Sequence, residues 1–229
     1  MPAPAHLPVR PTTHSPLMKQ SRIILVTLIL LLVLVIDQAI KIWIKTHFYL
    51  GESFEMASWA QLYFIQNPGM AFGMTIGSKL ALTLFRIAAV GFLVWYIFRI
   101  LPLRSVPRGY LVCLAFIAAG AAGNIIDCVF YGVIFNNPYP PEVAVLFPEG
   151  GGYAPWLMGQ VVDMFYFPLA EWTWPAWLPL VGGERFIFFH PVFNFADAAI
   201  SCGIVALICF YHRYILTPSA LAALPDKIA

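Results

Sequence analysis

Four carboxylates stand where charge is costly: Asp37, Asp127, Asp163 and Asp197, each set among apolar residues. An ionisable group at the centre of a bilayer costs about 2.5–3.5 kcal/mol on insertion scales, so such residues are functional candidates by default. Asp37 and Lys41 are four residues apart, acid first, the favourable order for a helical ion pair. Asn124 and Asp127 are three apart and share a helical face, and Asn194 and Asp197 repeat that spacing. Each has a purely structural alternative. The Asp37–Lys41 pair needs no further role, Asn124 and Asp127 can clamp two helices, and Asn194 can cap a helix whose dipole Asp197 favours. Asp163 can be a solvated loop acid. Two carboxylates sharing a low-dielectric site do not both ionise easily, so one pKa rises. The ionised member can then take a proton from water while its protonated partner donates to a carbonyl oxygen. That is aspartic-protease chemistry, and its general-base step needs no metal. Spacing alone leaves proton-coupled transport equally open.

The elements that must position these groups follow from composition. Of 229 residues, 61% are hydrophobic and 10% charged, with mean hydropathy +0.80. A soluble domain carries roughly 25% charged residues, so a water-facing globule is excluded. The net charge of +2 comes without a basic patch, and no nucleic-acid partner is expected. Four windows reach the roughly 20 apolar residues that a spanning helix needs: residues 22–44, 80–101, 110–134 and 193–216. Residues 1–21 and 217–229 are expected to be tails, the first disordered, and both cytoplasmic. The chain shows neither a GxSxG nucleophile elbow nor a phosphate-binding glycine loop. Its four cysteines lie in or beside apolar runs, and Cys202 and Cys209, which share a helical face, read as packing residues. No metal and no cofactor are expected.

Lys and Arg placement sets orientation. Arg10, Lys19, Arg22, Arg99, Arg104, Arg108, Arg213 and Lys227 flank one side, whereas residues 136–191 hold a single basic residue, Arg185. Segments 45–79 and 136–191 are therefore expected to face outward, although Lys45 and Lys79 blur the first. At 1.5 Å per helical residue, Asp37 lies about 22 Å from Arg22, and Asp127 and Asp197 about 26 Å from Tyr110 and Tyr214. All three acids reach the outer leaflet, and Asp163 sits in the segment that returns to it. Residues 49–66 partly alternate apolar and polar side chains, which predicts short strands. Trp172, Trp174 and Trp177 read as interfacial anchors, and the glycines at 150–152 as a flexible hinge.

Five short blocks in order resemble bacterial lipoprotein signal peptidase, the signal peptidase II family. They are Val35-Ile-Asp37-Gln-Ala-Ile-Lys41, Gln66-Asn67-Pro-Gly69-Met-Ala71-Phe72-Gly73, Gly123-Asn124-Ile-Ile-Asp127, Val161-Val162-Asp163 and Phe193-Asn194-Phe195-Ala196-Asp197. The resemblance spans about residues 30–215. It implies a membrane aspartyl endopeptidase of the bacterial inner membrane that removes signal peptides from diacylglyceryl-modified prolipoproteins, cutting before the lipidated cysteine. Asp163 and Asp197 would be the catalytic dyad. Asn67, Gly69, Asn124 and Asn194 would hold substrate or orient the carboxylates, with Asp37, Lys41 and Asp127 in support. The implied fold is an all-α integral membrane protein of four transmembrane helices, with a small extracytoplasmic β-cradle and a periplasmic loop insertion. Implied partners are prolipoprotein, membrane lipid and globomycin-type inhibitors, with the protein acting as a monomer.

Two departures accompany the resemblance. Cys128 stands where the family commonly has Arg, with Arg86 or Arg185 as conceivable substitutes, and residues 133–159 form an insertion. Two other readings remain: a proton-coupled transporter using Asp37, Asp127 and Asp197, and a four-span scaffold packed through Gly69, Gly73 and Gly77.

Overall fold

A computed structural model describes residues 16–68, 78–103 and 105–216. Gly69 and the residues that follow it in its block, to Gly73, lie outside them. Four long apolar helices form the frame. α1 (Pro16–His47) starts before the expected position, absorbing residues 16–21 that were read as tail. α2 (Lys79–Ile100) is capped by Ser78, whose Oγ accepts from Ala81 N at 3.2 Å. Such a cap satisfies one of the four orphan N–H groups of a helix start. α3 (Arg108–Ile126) runs into a π-helical turn at Asp127–Tyr131 and a last turn, α4 (Gly132–Ile134). α5 (Phe195–Leu216) closes the bundle.

α3 is the hub because its inward face is small. Ala115, Ala118, Ala119, Gly120 and Gly123 are buried there and let α1 and α5 approach closely. Leu111, Leu114, Ile97 and Leu207 complete the apolar core of the opposite half. The outward faces of α1, α2 and α5 carry exposed Leu32, Val35, Phe85, Phe92, Phe98 and Phe210. A solvent as apolar as lipid asks for no polar cover. Cys202 and Cys209 are exposed on α5, which corrects their reading as packing residues; Cys113 and Cys128 are buried.

At the end of the bundle where α1 finishes and α5 begins lies a four-stranded antiparallel sheet. Its order is β1 (Ser53–Ala57), β2 (Ala60–Asn67), β3 (Val161–Tyr166), β6 (Val192–Phe193). The alternation at 49–66 foretold the β1–β2 hairpin. It did not foretell β3, an apolar run buried from Val161 to Met164 that pairs with β2 across nearly a hundred residues. A second, two-stranded sheet, β4 (Ala170–Thr173) with β5 (Arg185–Phe188), forms in the tryptophan-rich segment. Trp172 and Trp174 pack on Phe186, with centroids 4.6 and 5.7 Å away, while Trp177 alone of the three is largely exposed.

Residues 133–159, the segment the sequence marks as an insertion, are tied to the π-helical turn. An extra residue in a helical turn strands carbonyl groups, and the insertion supplies donors to them. Gly159 N donates to Cys128 O (2.8 Å), Leu157 N to Val129 O (3.2 Å), Ala154 N to Gly132 O (2.9 Å) and Tyr153 N to Phe135 O (2.9 Å). Gly152 presses on the backbone of Gly132 and Val133, leaving no room for a Cβ. The hinge reading of the glycine run is thereby corrected at Gly152: it is a close-packed backbone contact.

Candidate active site

The polar residues singled out from the sequence converge where the sheet meets α1, α3 and α5. Lys41 is the centre of the lower layer. Its Nζ lies 2.9 Å from Asp37 Oδ2 and 2.8 Å from Asp127 Oδ2, and donates to Asn124 Oδ1 at 2.8 Å. Asp37, Lys41 and Asp127 are all fully buried. The Asp37–Lys41 pair therefore exists, but as part of a cluster between helices rather than a surface brace along one.

Each buried carboxylate also grips the backbone beside an upper-layer acid. Asp127 Oδ2 accepts from Val162 N (3.2 Å), the residue before Asp163. Asp37 Oδ1 accepts from Ala196 N (3.0 Å), the residue before Asp197. Gln38, which the sequence reading passed over, fastens the layer together. Its Nε2 donates to Asp37 Oδ2, Gly123 O and Asp127 Oδ1 at 3.0–3.2 Å, and its Oε1 accepts from Tyr131 Oη at 3.0 Å. The available signal was an amide next to Asp37 in an otherwise apolar span.

In the upper layer Asn194 joins two elements. Its Oδ1 accepts from Asp197 N (2.9 Å) and Asp197 Oδ2 accepts from Asn194 N (3.3 Å), a reciprocal cap on the start of α5. Its Nδ2 donates to Asp163 Oδ1 at 2.6 Å and to Asn124 Oδ1 at 3.1 Å. The capping role and the site role thus coexist in one side chain. Asn124 Nδ2 donates to Asp197 Oδ1 at 2.8 Å, and Asn67 Nδ2 donates to Asp163 Oδ2 at 3.2 Å. Asn67 and Asp163 lie on the same face of adjacent strands, since Asn67 pairs with Val161 and Ile65 with Asp163.

Asp163 is buried, whereas Asp197, Asn124 and Asn67 are partly exposed, so the site opens on their side. Burial, and then the neighbouring Asp197 carboxylate, push the Asp163 carboxyl up to about 7, outweighing the amide donors from Asn194 and Asn67. Chemically, this is one carboxyl disposed to hold a proton near neutrality beside a second carboxyl.

Close packing of α3 sets the spacing. A Cβ at Gly123 would lie 2.5 Å from Asp37 Oδ2, and one at Gly120 would fall on Ala196 O. Gly123→Ala is expected to destabilise the protein by about 1–3 kcal/mol, the usual range for overpacking. It is also expected to lower activity more than a Gly91→Ala control, since Gly91 has open space around it. Thermal unfolding in detergent and a turnover assay check both.

Of the two conceivable arginine substitutes, Arg185 is taken up with Glu171 on the β4–β5 hairpin. Arg86 of α2 instead brings Nη1 to 3.6 Å from Cys128 Sγ.

Comparison with known proteins places this arrangement. A family model described as signal peptidase (SPase) II matches residues 29–213. A lipoprotein signal peptidase of Porphyromonas gingivalis is 53% identical over 188 residues, covering 82% of this chain and 83% of that protein. One from Amoebophilus asiaticus is 35% identical over 187 residues, with 79% and 74% covered. A solved bacterial membrane enzyme at 22% identity superimposes with a TM-score of 0.54, covering 80% of this chain and 90% of its own, which supports the fold.

Proposed function

The chain belongs to the signal peptidase II family, and from that premise we propose that Asp163 and Asp197 are the hydrolytic dyad with which it cleaves signal peptides from prolipoproteins. Membership makes it a protease with membrane-spanning helices; a proton-coupled transporter finds no support. The observation that carries the residue assignment is Asn194, which donates to Asp163 while capping the helix turn that bears Asp197. One side chain thereby fixes the relative position of two acids from different elements.

In the reaction, the ionised carboxylate takes a proton from water as the oxygen attacks the carbonyl carbon preceding the lipidated cysteine. The protonated carboxyl donates to the carbonyl oxygen, giving a neutral tetrahedral diol. Collapse breaks the C–N bond, with a proton passing to the nitrogen. The products are a signal peptide with a new carboxylate and a lipoprotein with a free amino group. Asp163 is the member that starts protonated, because burial disfavours its charge. Asn67 and Asn124, at the open side, hold the substrate backbone, and Gly69 follows Asn67 by two residues in sequence. Asp37, Lys41 and Asp127 hold the two acid-bearing strands of backbone in place. Arg86 supplies a guanidinium beside Cys128, where the family pattern carries Arg.

The sheet end faces outward. Support comes from the other end, where Arg22 donates to Leu103 O at 2.6 Å close to Arg108, gathering positive charge on what is then the cytoplasmic side with both termini. The sheet is then the extracytoplasmic cradle, and the site lies at the outer leaflet, reached sideways by a lipidated substrate. Acyl chains already buried in the bilayer gain little by transfer, so lipid chiefly restricts and aligns the substrate. Globomycin-type cyclic peptides are expected to inhibit, and a monomer contains every group named.

The pH dependence follows from the protonated member. Below about 7 Asp163 holds its proton; as pH rises through that value the donor is lost. Cleavage by the purified protein in lipid is therefore expected to decline on the alkaline side with a midpoint near 7. A kcat profile flat up to pH 9 contradicts that assignment of the proton.

A further inference from the structure

The hydrolytic scheme leaves unused a fully buried cation close to its carboxylates. Lys45 follows Lys41 by one turn of α1 and is fully buried, yet among the described residues its Nζ has no hydrogen-bond partner. Three rings enclose it, with centroids 5.7, 5.3 and 5.2 Å away: Phe64 of β2, Phe135 after α4, and Tyr153 of the insertion. Cation–π attraction contributes about 2 kcal/mol or more when desolvated. That falls short of the several kcal/mol needed to dehydrate an ammonium, so a carboxylate must complete the balance. A buried carboxylate faces this stretch of α1: Asp127, whose Oδ2 lies 2.8 Å from the Nζ of Lys41, one turn before Lys45.

Counting charge explains why. Asp37, Asp127 and Lys41 alone leave one negative charge unmatched in a fully buried cluster. Lys45 brings the four groups to neutrality. Asp127 also has to stay ionised for a geometric reason, because among the described residues donors alone meet its oxygens. Val162 N and Lys41 Nζ point at Oδ2, and Gln38 Nε2 points at Oδ1. A protonated Asp127 would turn an O–H toward one of these donors and release it.

We propose that Lys45 is a positioning residue for the hydrolytic reaction: its caged ammonium keeps Asp127 ionised, and Asp127 in turn holds the β3 backbone that carries Asp163. The inference rests on the reading of Asp163 as a dyad member. It also gives the insertion a part in catalysis, since Tyr153 closes the cage and its Oη accepts from Gln160 N at 2.7 Å, just ahead of β3. Among the described residues, the charged or titratable groups around the cage are Lys41 on the same helix, Asp127 and Tyr131 from the third span, and Tyr153 from the insertion. Phe64 and Phe135 present only rings.

The test is the pH profile of kcat and KM for cleavage of a lipid-modified prolipoprotein by purified full-length protein in lipid. Lys45→Met is expected to move the acidic limb of kcat upward by about one pH unit, the usual effect of losing an adjacent opposite charge. KM should stay within about twofold, and Lys45→Arg should restore the wild-type limb. An unmoved limb overturns the proposal, whether activity is full or reduced equally at every pH. Should Lys45→Met not accumulate, the comparison passes to Asp127→Asn with and without Lys45→Met. In that background the second substitution should leave the limb where it is, and a further shift overturns the proposal. Wild type that fails to cleave removes the peptidase reading itself; wild type that cleaves, beside an unshifted Lys45→Met, removes only the role of Lys45.

Discussion

Asp163→Asn and Asp197→Asn are each expected to lower kcat by about 10³-fold or more, the scale on which general acid–base groups act. Both proteins should still reach the membrane and unfold at close to the wild-type temperature. The substitutions keep size and leave an amide that can hold much of the network. Asn at 163 retains an oxygen to accept from Asn194 at the Oδ1 position and gives up only the longer bond that Asn67 makes to Oδ2. Asn at 197 retains an acceptor for Asn124, and its neighbour Ala196 stays pinned by Asp37. What is lost in each case is the exchangeable proton or the basic oxygen. The two single losses should be as severe as the double loss, because water activation and carbonyl protonation belong to one step. Turnover within tenfold of wild type by either variant contradicts the dyad.

Lys41→Met is expected to damage stability and activity together. Its Nζ is the shared partner of Asp37, Asp127 and Asn124, all within 2.9 Å. Removing one member of a buried charge cluster costs about 3–5 kcal/mol, because the remaining charge is stranded. Here two carboxylates are stranded at once, and they are the two that hold the backbone before Asp163 and Asp197. Activity should therefore fall by orders of magnitude although Lys41 touches no reacting atom. Pairing the change with Asp37→Asn removes one of the uncompensated charges and should recover part of the stability. Thermal unfolding of the single and double variants in detergent measures the recovery. A Lys41→Met protein as stable and as active as wild type contradicts the account of the cluster.

Much of the frame and most of the candidate site were legible in the sequence, because lipid imposes simple rules. Apolar runs of spanning length marked the helices, and acids kept within them marked the candidate site. Asp37, Lys41, Asn124, Asp127, Asn194 and Asp197 were found through spacings of three and four, which place side chains on one helical face. Asp163 has no such local signature. It joins the others only through β3, whose position depends on pairing with β2 and on the hydrogen bond from Val162 N to Asp127. Non-local pairing leaves no periodic trace in a buried strand. The insertion was misjudged at Gly152 for the same reason: its partners, Gly132 and Val133, lie elsewhere in the chain. Lys45 was counted among the flanking charges of a loop, as a lysine near a helix end invites. Its cage is assembled from Phe64, Phe135 and Tyr153, three distant segments that nothing local connects.

The central claim is that the Asn-linked acids of β3 and α5 form the centre that cuts lipid-modified precursors. Its most direct test incubates one such precursor in lipid with the wild-type protein, Asp163→Asn and Asp197→Asn, and reads the products by mass spectrometry. The expected result is a wild-type product beginning at the lipidated cysteine, with intact precursor remaining in both variants. A wild-type sample that leaves the precursor whole, or variants that yield the same product at a comparable rate, would contradict it.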